Sequence, residues 1–350
     1  MSRRHPVATI ALVALLVAAC GDADVPPVAA TGVAPEATRA DATPSAPATT
    51  SAPPTLPEPT ADLWFVAGLL MGVHSSTRVL DDSPAWCEPG GAAHGTPLCG
   101  VGVNGLAWSP DGRTLAFLVA RFDQPQLPDE DVGIWTFTPA DRTVRKLAGC
   151  GGDLCDTLFS PPAWTDAGAS LAHVVGPWER PMLRVLDPAD GSLVRERALP
   201  SGAALPSPDG RSLAWAGETG IHVSDGSGES RRVSEDAGAV ALAWSPDGRS
   251  VSYGLTRDEG PVHASTYAWH VNVVELAQER PVVRELDRVP SCCKGGGYAS
   301  AARFSPDGEW LAFHEHGSLR MIHLDSGDVA PMALDGHRLN WAAPAWRPLP

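Results

Sequence analysis

Seven cysteines are the residues of this 350-residue sequence whose spacing says most about chemistry. Six of them form pairs that are close in sequence: Cys87 with Cys99, Cys150 with Cys155, and Cys292 beside Cys293. In an exported protein an even number of cysteines predicts disulfides, although six allow many pairings and leave the connectivity open. A structural metal site is the alternative. Because no Cys-x-x-Cys pair is present, we predict no metal.

The seventh cysteine, Cys20, lies at the end of a segment typical of a signal peptide. Arg3 and Arg4 form a basic start, and residues 7–18 form an apolar stretch that is short for a membrane-spanning helix. The sequence Val-Ala-Ala-Cys at 17–20 resembles the lipobox of bacterial lipoproteins, which implies cleavage after residue 19 and lipidation of the Cys20 thiol. An ordinary secretory signal with an incidental cysteine is the alternative. We therefore expect export and a lipid anchor in the bacterial cell membrane or outer membrane, with the domain in the periplasm or cell exterior.

Composition and charge define the next segment and limit the partners. Residues 20–61 carry the lipidated cysteine and are rich in Pro, Ala and Thr, so we expect a disordered tether; whether sugars decorate it stays open. The formal net charge of −15, with no basic stripe, argues against nucleic acid. It also argues against direct binding to anionic lipid, so we expect membrane contact only through Cys20.

A repeated tetrapeptide, Ser-Pro-Asp-Gly, organises residues 62–350. Its four copies begin at Ser109, Ser207, Ser245 and Ser305, and each lies between two short apolar runs. Pro presets its own φ, Asp bonds nearby backbone and Gly accepts positive φ, so each copy predicts a tight turn between two strands. An aromatic residue or its equivalent precedes each turn or its degenerate counterpart, at positions 108, 164, 206, 244, 304 and 346. This spacing is typical of four-stranded propeller blades.

The ends of the chain predict how the ring closes. Few residues follow Trp346, so its blade needs strands from elsewhere, and residues 62–68 and 77–80 have the pattern of outer strands. Pairing them with the Trp346 strand would remove two exposed sheet edges. We therefore predict an all-β fold: a six-bladed propeller of four-stranded antiparallel blades, closed by N-terminal strands that pair with the C-terminal strand.

The repeat also carries a family resemblance. The sequence Trp-Ser-Pro-Asp-Gly-Arg-Thr-Leu-Ala at 108–116 resembles the WD-type repeat of TolB-like β-propellers. This resemblance implies a non-enzymatic binding or protein-interaction scaffold, with a protein or peptide, or a cell-envelope glycan, as partner. A propeller lyase or glycan-active enzyme with a site at the channel mouth is the alternative. We expect a monomer.

The cysteine pairs indicate where binding would occur. Each pair precedes an inner strand, so all three belong to connections that emerge on one face of a propeller. Disulfide-linked loops on one face would suit recognition of a ligand or partner. Long loops in an exported protein also need disulfides for stability alone. The candidate binding residues on these loops and on the neighbouring segment before Trp346 are His94, Asp153, Lys294, Tyr298, His337 and Arg338.

Catalytic motifs are absent from the sequence. No Gly-x-Ser-x-Gly elbow occurs, and the turn aspartates are explained by turn geometry. Of the residues predicted for the inner strands, only Arg303 is charged, whereas a catalytic centre usually needs several ionisable side chains. Five tryptophans at repeat positions are predicted to be core residues: Trp108, Trp164, Trp215, Trp244 and Trp346. We therefore predict no catalytic residues and no cofactor.

Overall fold

Strands account for nearly all the regular structure in the described part of the chain. The computed structural model describes residues 61–348 with gaps, the longest at 74–79, 82–88, 97–102, 121–127, 150–160, 259–266, 292–301 and 333–343. The predicted signal peptide and Cys20 lie outside the described residues, and so does the predicted tether up to residue 60.

Five sheets are each built from four consecutive antiparallel strands. The first contains β4 (Val103–Trp108), β5 (Leu115–Val119), β6 (Gly133–Thr138) and β7 (Thr143–Gly149). The second contains β8 (Ala163–Thr165), β9 (Ser170–Val175), β10 (Met182–Leu186) and β11 (Leu193–Ala198). The third contains β12 (Ala204–Pro206), β13 (Leu213–Gly217), β14 (Gly220–Ser224) and β15 (Ser230–Ser234). The fourth contains β16 (Val240–Trp244), β17 (Ser250–Asp258), β18 (Tyr267–Glu275) and β19 (Val282–Ser291). The fifth contains β20 (Arg303–Phe304), β21 (Trp310–Glu315), β22 (Ser318–His323) and β23 (Val329–Met332).

One further sheet combines distant parts of the chain. It contains β1 (Ala61–Ala67), β2 (Leu69–Val73), β3 (Leu80–Asp81) and β24 (Ala345–Pro348) in the order β24-β1-β2-β3. The antiparallel register places Leu63 opposite Trp346, so the predicted pairing of the two ends is confirmed. The continuous blades number five among the described strands, one fewer than the six blades predicted. β2 was not predicted, because a single residue separates it from β1 and no turn motif marks the boundary.

The Ser-Pro-Asp-Gly copies form the predicted turns, and side chains hold them. In the first copy the Ser109 hydroxyl donates to the Asp111 carboxylate at 2.5 Å, and the Thr114 amide donates to the Ser109 hydroxyl at 2.9 Å. The Gly112 amide closes the turn on the Ser109 carbonyl at 2.8 Å, with φ of +67° at Gly112. The hydrogen bond from Ser109 holds the pKa of Asp111 below its ordinary value. The aspartate is therefore engaged by its own turn, as predicted.

Apolar side chains from neighbouring sheets pack together to form the core. Leu118 and Ile134 of the first sheet pack with Leu171 and Leu186 of the second. Other clusters join the second sheet to the third, the third to the fourth, and the fourth to the fifth. Ala345 of β24 packs in the cluster of Leu106, Trp108 and Phe117, so the composite sheet contacts the first blade. Burial between sheets is thus the main source of stability.

Strand direction separates two sets of connections. Within each four-stranded antiparallel blade, the inner strand runs toward the turn that joins it to the second strand. The fourth, outer strand runs in the opposite direction and therefore ends at the other face. The turns that follow β4, β12, β16 and β20 therefore share one face, which we call the turn face. The ends of β3, β7 and β19, after which the cysteine pairs occur in the sequence, lie toward the opposite face.

Candidate functional site

A pocket of about 420 Å³ lies among the inner strands, and we call it the axial pocket. Its wall is formed at one repeat position of six sheets, by Trp108, Trp164, Pro206, Trp244, Phe304 and Trp346. Its rim on the turn face includes the prolines of the turns, which are Pro110, Pro208, Pro246 and Pro306. The size suits a small ligand or the end of a peptide.

Hydrogen bonds between neighbouring inner strands hold the tryptophans of this wall. The indole nitrogen of Trp164 donates to the Ala107 carbonyl at 2.9 Å, and that of Trp244 donates to the Leu205 carbonyl at 2.9 Å. In both cases the acceptor directly precedes the wall residue of the preceding sheet. Because these bonds fix the ring planes, the wall is preorganised.

The first and composite sheets are linked in the same region. Arg347 of β24 lies 4.6 Å from the ring centroid of Trp108, and its Nε donates to the Gly112 carbonyl at 3.1 Å. A β-carbon placed on Gly112 would lie 2.2 Å from the Pro348 carbonyl oxygen. The turn of the first blade therefore sits directly on the last residues of β24.

Arg303 is the one ionisable residue of the axial pocket among the lining residues that the structure describes. Its Nη1 donates to the Leu242 carbonyl at 2.9 Å, and its own carbonyl accepts from the Trp346 indole at 3.0 Å. Within the described part of the chain, no acidic side chain forms an ion pair with it. Burial lowers the pKa of Arg303 to about 10, so the guanidinium is still cationic at neutral pH.

Few of the binding residues predicted from the cysteine-bearing loops fall in the described residues. His94 is exposed in a turn at 94–96. The others lie outside the described residues, as do all the cysteines, and their roles stay predictions: Asp153, Lys294, Tyr298, His337 and Arg338.

The prediction that the five repeat tryptophans are core residues is correct for three of them. Trp108, Trp244 and Trp346 are buried, whereas Trp164 and Trp215 are half-buried. All of these except Trp215 also form the wall of the axial pocket, which sequence reasoning missed. The signal was present in the sequence, because the markers come from inner strands that surround one axis.

Neither a cluster of metal ligands nor a membrane-spanning helix occurs among the described residues. No group of three or more His, Cys, Asp or Glu residues in the described ranges could hold a metal ion. None of the described segments forms a helix with the length and hydropathy needed to cross a membrane.

Comparisons with known proteins support the fold. No family model matches the chain, and no curated protein matches its sequence. TolB from Acinetobacter baumannii is similar in structure, with a TM-score of 0.60 and 16% identity over 84% of this chain and 68% of TolB. The tricorn protease is also similar, with a TM-score of 0.52 and 12% identity over 79% of this chain and 26% of the protease. At these identities the similarity shows a β-propeller, and the resemblance to TolB-like propellers is confirmed at the level of the fold.

Proposed function

We propose that this protein is an extracytoplasmic lipoprotein whose propeller is a non-enzymatic binding scaffold, and that it engages its partner at the turn face around the axial pocket. The single observation that carries the proposal is the composition of the pocket. Among the described residues, its lining contains no Ser, Cys, His, Asp or Glu, so it offers no nucleophile and no acid-base pair. Rigid tryptophan and proline surfaces around a concave site favour binding instead.

We infer that the composite sheet is the sixth blade and closes the ring. Two observations support this inference. β24 contacts the fifth sheet through the Trp346 hydrogen bond to Arg303, and it contacts the first sheet through Arg347 and Gly112. The axial pocket is lined by inner strands from all six sheets, including β24. A closed ring would give the pocket a continuous wall.

Anchoring and export rest on the first 61 residues. The basic start, the apolar stretch and the small residues before Cys20 support lipidation there, and the Pro-rich tether would hold the propeller away from the membrane. The anchor would confine the protein to the surface and raise the local concentration of a partner in the same membrane.

Site-specific photocrosslinking in intact cells tests the partner proposal. A photoreactive amino acid replaces Pro246, an exposed rim residue in a turn position that accepts most residues. The matched control replaces Val194 on the outer strand β11, where the residue is 62% exposed. We expect a discrete crosslinked partner from position 246 and none from position 194. Equal crosslinking from both positions, or none from position 246, would contradict a binding site on the turn face.

A further inference from the structure

We propose that the axial pocket recognises a carboxylate carried on an apolar body, and that Arg303 is the residue that binds the carboxylate. This inference deepens the proposed function and rests on it in one respect, namely that the axial pocket is the binding site. It concerns the chemistry of the ligand, which the fold alone does not specify.

The charge of Arg303, whose side chain is half-buried, is not balanced by an acidic side chain among the described residues. Its side chain lies among tryptophan, proline and alanine residues, and no acidic side chain in the described ranges pairs with it. Removing a guanidinium from water is costly unless an opposite charge or hydrogen bonds replace the water. Burial already lowers the pKa of Arg303, which is the signature of that cost. An anion entering the pocket would supply the missing partner.

The guanidinium is held in position for such a contact. Nη1 is tied to the Leu242 carbonyl of the neighbouring sheet, and the backbone carbonyl of Arg303 is tied to the Trp346 indole. Within the described residues, Nε and Nη2 have no hydrogen-bond partner. One side of the planar guanidinium is therefore held by the protein. Its remaining donors, on Nε and Nη2, are arranged to bind the two oxygens of a carboxylate.

The rest of the pocket selects an apolar ligand body with one negative charge. The wall offers flat aromatic and proline surfaces, on which an aromatic or aliphatic group can pack. The pocket has room for a small organic acid or for the last residues of a peptide. The net charge of −15 opposes polyanions at long range, so a single carboxylate is favoured over a highly charged ligand. The two sources of this chemistry are a free organic acid and a peptide carboxyl terminus.

Calorimetric titration of the purified full-length protein with matched probes tests the inference. The small pair is 3-phenylpropionate and its neutral amide. The peptide pair is acetyl-Ala-Ala-Phe with a free carboxyl terminus and the same peptide with an amidated terminus. We expect at least one acid to bind, and its amide to bind about 10- to 100-fold more weakly, because a hydrogen bond to a charged group is lost. The acid that binds more tightly identifies the source.

Variants then assign the effect to Arg303. Arg303→Met removes the charge and should weaken binding of the acid to the level of the amide. Arg303→Lys keeps the charge but cannot form the paired hydrogen bonds of a guanidinium, so this variant should bind the acid with intermediate affinity. The matched control is Arg284→Met, because Arg284 donates to the Leu324 carbonyl at 2.7 Å and so also links the fourth and fifth sheets, but does not line the pocket. Thermal unfolding of all three variants checks that they are folded.

Three results would overturn the inference: none of the four probes binds, acid and amide bind the wild type equally, or Arg303→Met binds the acid as the wild type does. The comparison of acid and amide needs no variant, so it still decides if Arg303→Met does not fold. Failure of the crosslinking at Pro246 with retained acid binding would instead refute the partner scaffold and leave carboxylate recognition in place.

Discussion

The contact between Gly112 and Pro348 provides the sharpest test of how the ring closes. Four turn glycines, at 112, 210, 248 and 308, share the same tetrapeptide and have φ between +67° and +78°. Alanine at any of them adopts a left-handed conformation, which costs about 1–2 kcal/mol. Their surroundings differ, however, and so the four positions form a matched series within one chain.

The expected magnitudes follow from the neighbour that each added methyl group would meet. At Gly248 no atom lies within 4 Å, so Gly248→Ala should cost only the backbone term of about 1–2 kcal/mol. At Gly112 the methyl carbon would lie 2.2 Å from the Pro348 carbonyl oxygen, which is backbone and cannot rotate away. One of the two segments must move by about 1 Å, and overpacking of this kind costs a further ~1–3 kcal/mol.

The two remaining glycines complete the expected order of stability. At Gly308 the nearest neighbour is Pro246 at 4.0 Å, so Gly308→Ala should behave like Gly248→Ala. At Gly210 the neighbour is the Asp166 carboxylate at 3.0 Å, a side chain that can turn aside, so Gly210→Ala should fall between the extremes. Gly112→Ala should be the least stable of the four.

Thermal unfolding followed by circular dichroism measures the series. A loss of 1 kcal/mol lowers the midpoint of a domain of this size by about 2–4 °C, so the extra cost at Gly112 is well resolved. The free energy of unfolding in urea provides an independent measurement. If Gly112→Ala and Gly248→Ala have equal midpoints, then β24 does not sit against the first blade, and the inference of a closed ring is wrong.

Three further predictions concern burial, anchoring and the pocket wall. Burial, together with the nearby Arg184, lowers the pKa of His173 from 6.5 to about 4, so the unfolded chain binds more protons in that interval and stability falls as the pH drops through it. His173→Phe should remove about 3 kcal/mol of this pH dependence, measured by urea unfolding at several pH values. Cys20→Ser should move the protein from the membrane fraction to the soluble fraction after cell lysis. Trp244→Phe should lower the free energy of unfolding by about 1–3 kcal/mol, because the partly buried Leu205 carbonyl loses its donor.

Each of these predictions has a control. For His173, the carboxylates are the same in wild type and variant, so the difference between their pH profiles isolates the histidine; parallel pH profiles would contradict its neutral burial. Membrane retention of Cys20→Ser would argue against the lipid anchor. For Trp244, the control is Trp215→Phe, which removes the same part of an indole ring whose nitrogen has no hydrogen-bond partner among the described residues. Equal losses from the two changes would show that ring packing alone matters.

Local turn chemistry made most of the fold predictable. Because Ser-Pro-Asp-Gly encodes its turn within a few residues, the positions of the flanking strands and the pairing of β24 with β1 followed from the sequence. β2 escaped prediction because nothing in the residues around Gly68 marks its boundary with β1.

The site was harder to predict than the fold. Arg303 is the one charged residue of the predicted inner strands, and in the sequence alone it argues only against a catalytic centre. Its role as a cation with no acidic partner among the described residues depends on the axial pocket, which is formed by residues far apart in the sequence, from Leu106 to Pro348. The cysteine pairs drew attention to the face opposite the turn face, because disulfide spacing is a local signal and a pocket shared by six sheets is not.

The composite sheet also bears on when the fold can be completed and on how it would respond to a pulling force. β1 (Ala61–Ala67) is synthesised early, but its partner β24 (Ala345–Pro348) lies near the other end of the described residues, so the composite sheet cannot form until nearly all of that stretch has been made. If Cys20 is lipidated as proposed, a pull from that anchor would reach the sheet at β1 and would load first the hydrogen bonds between β1 and its two neighbours. The sheet that joins the two ends of the described chain would then also be the part that bears the load.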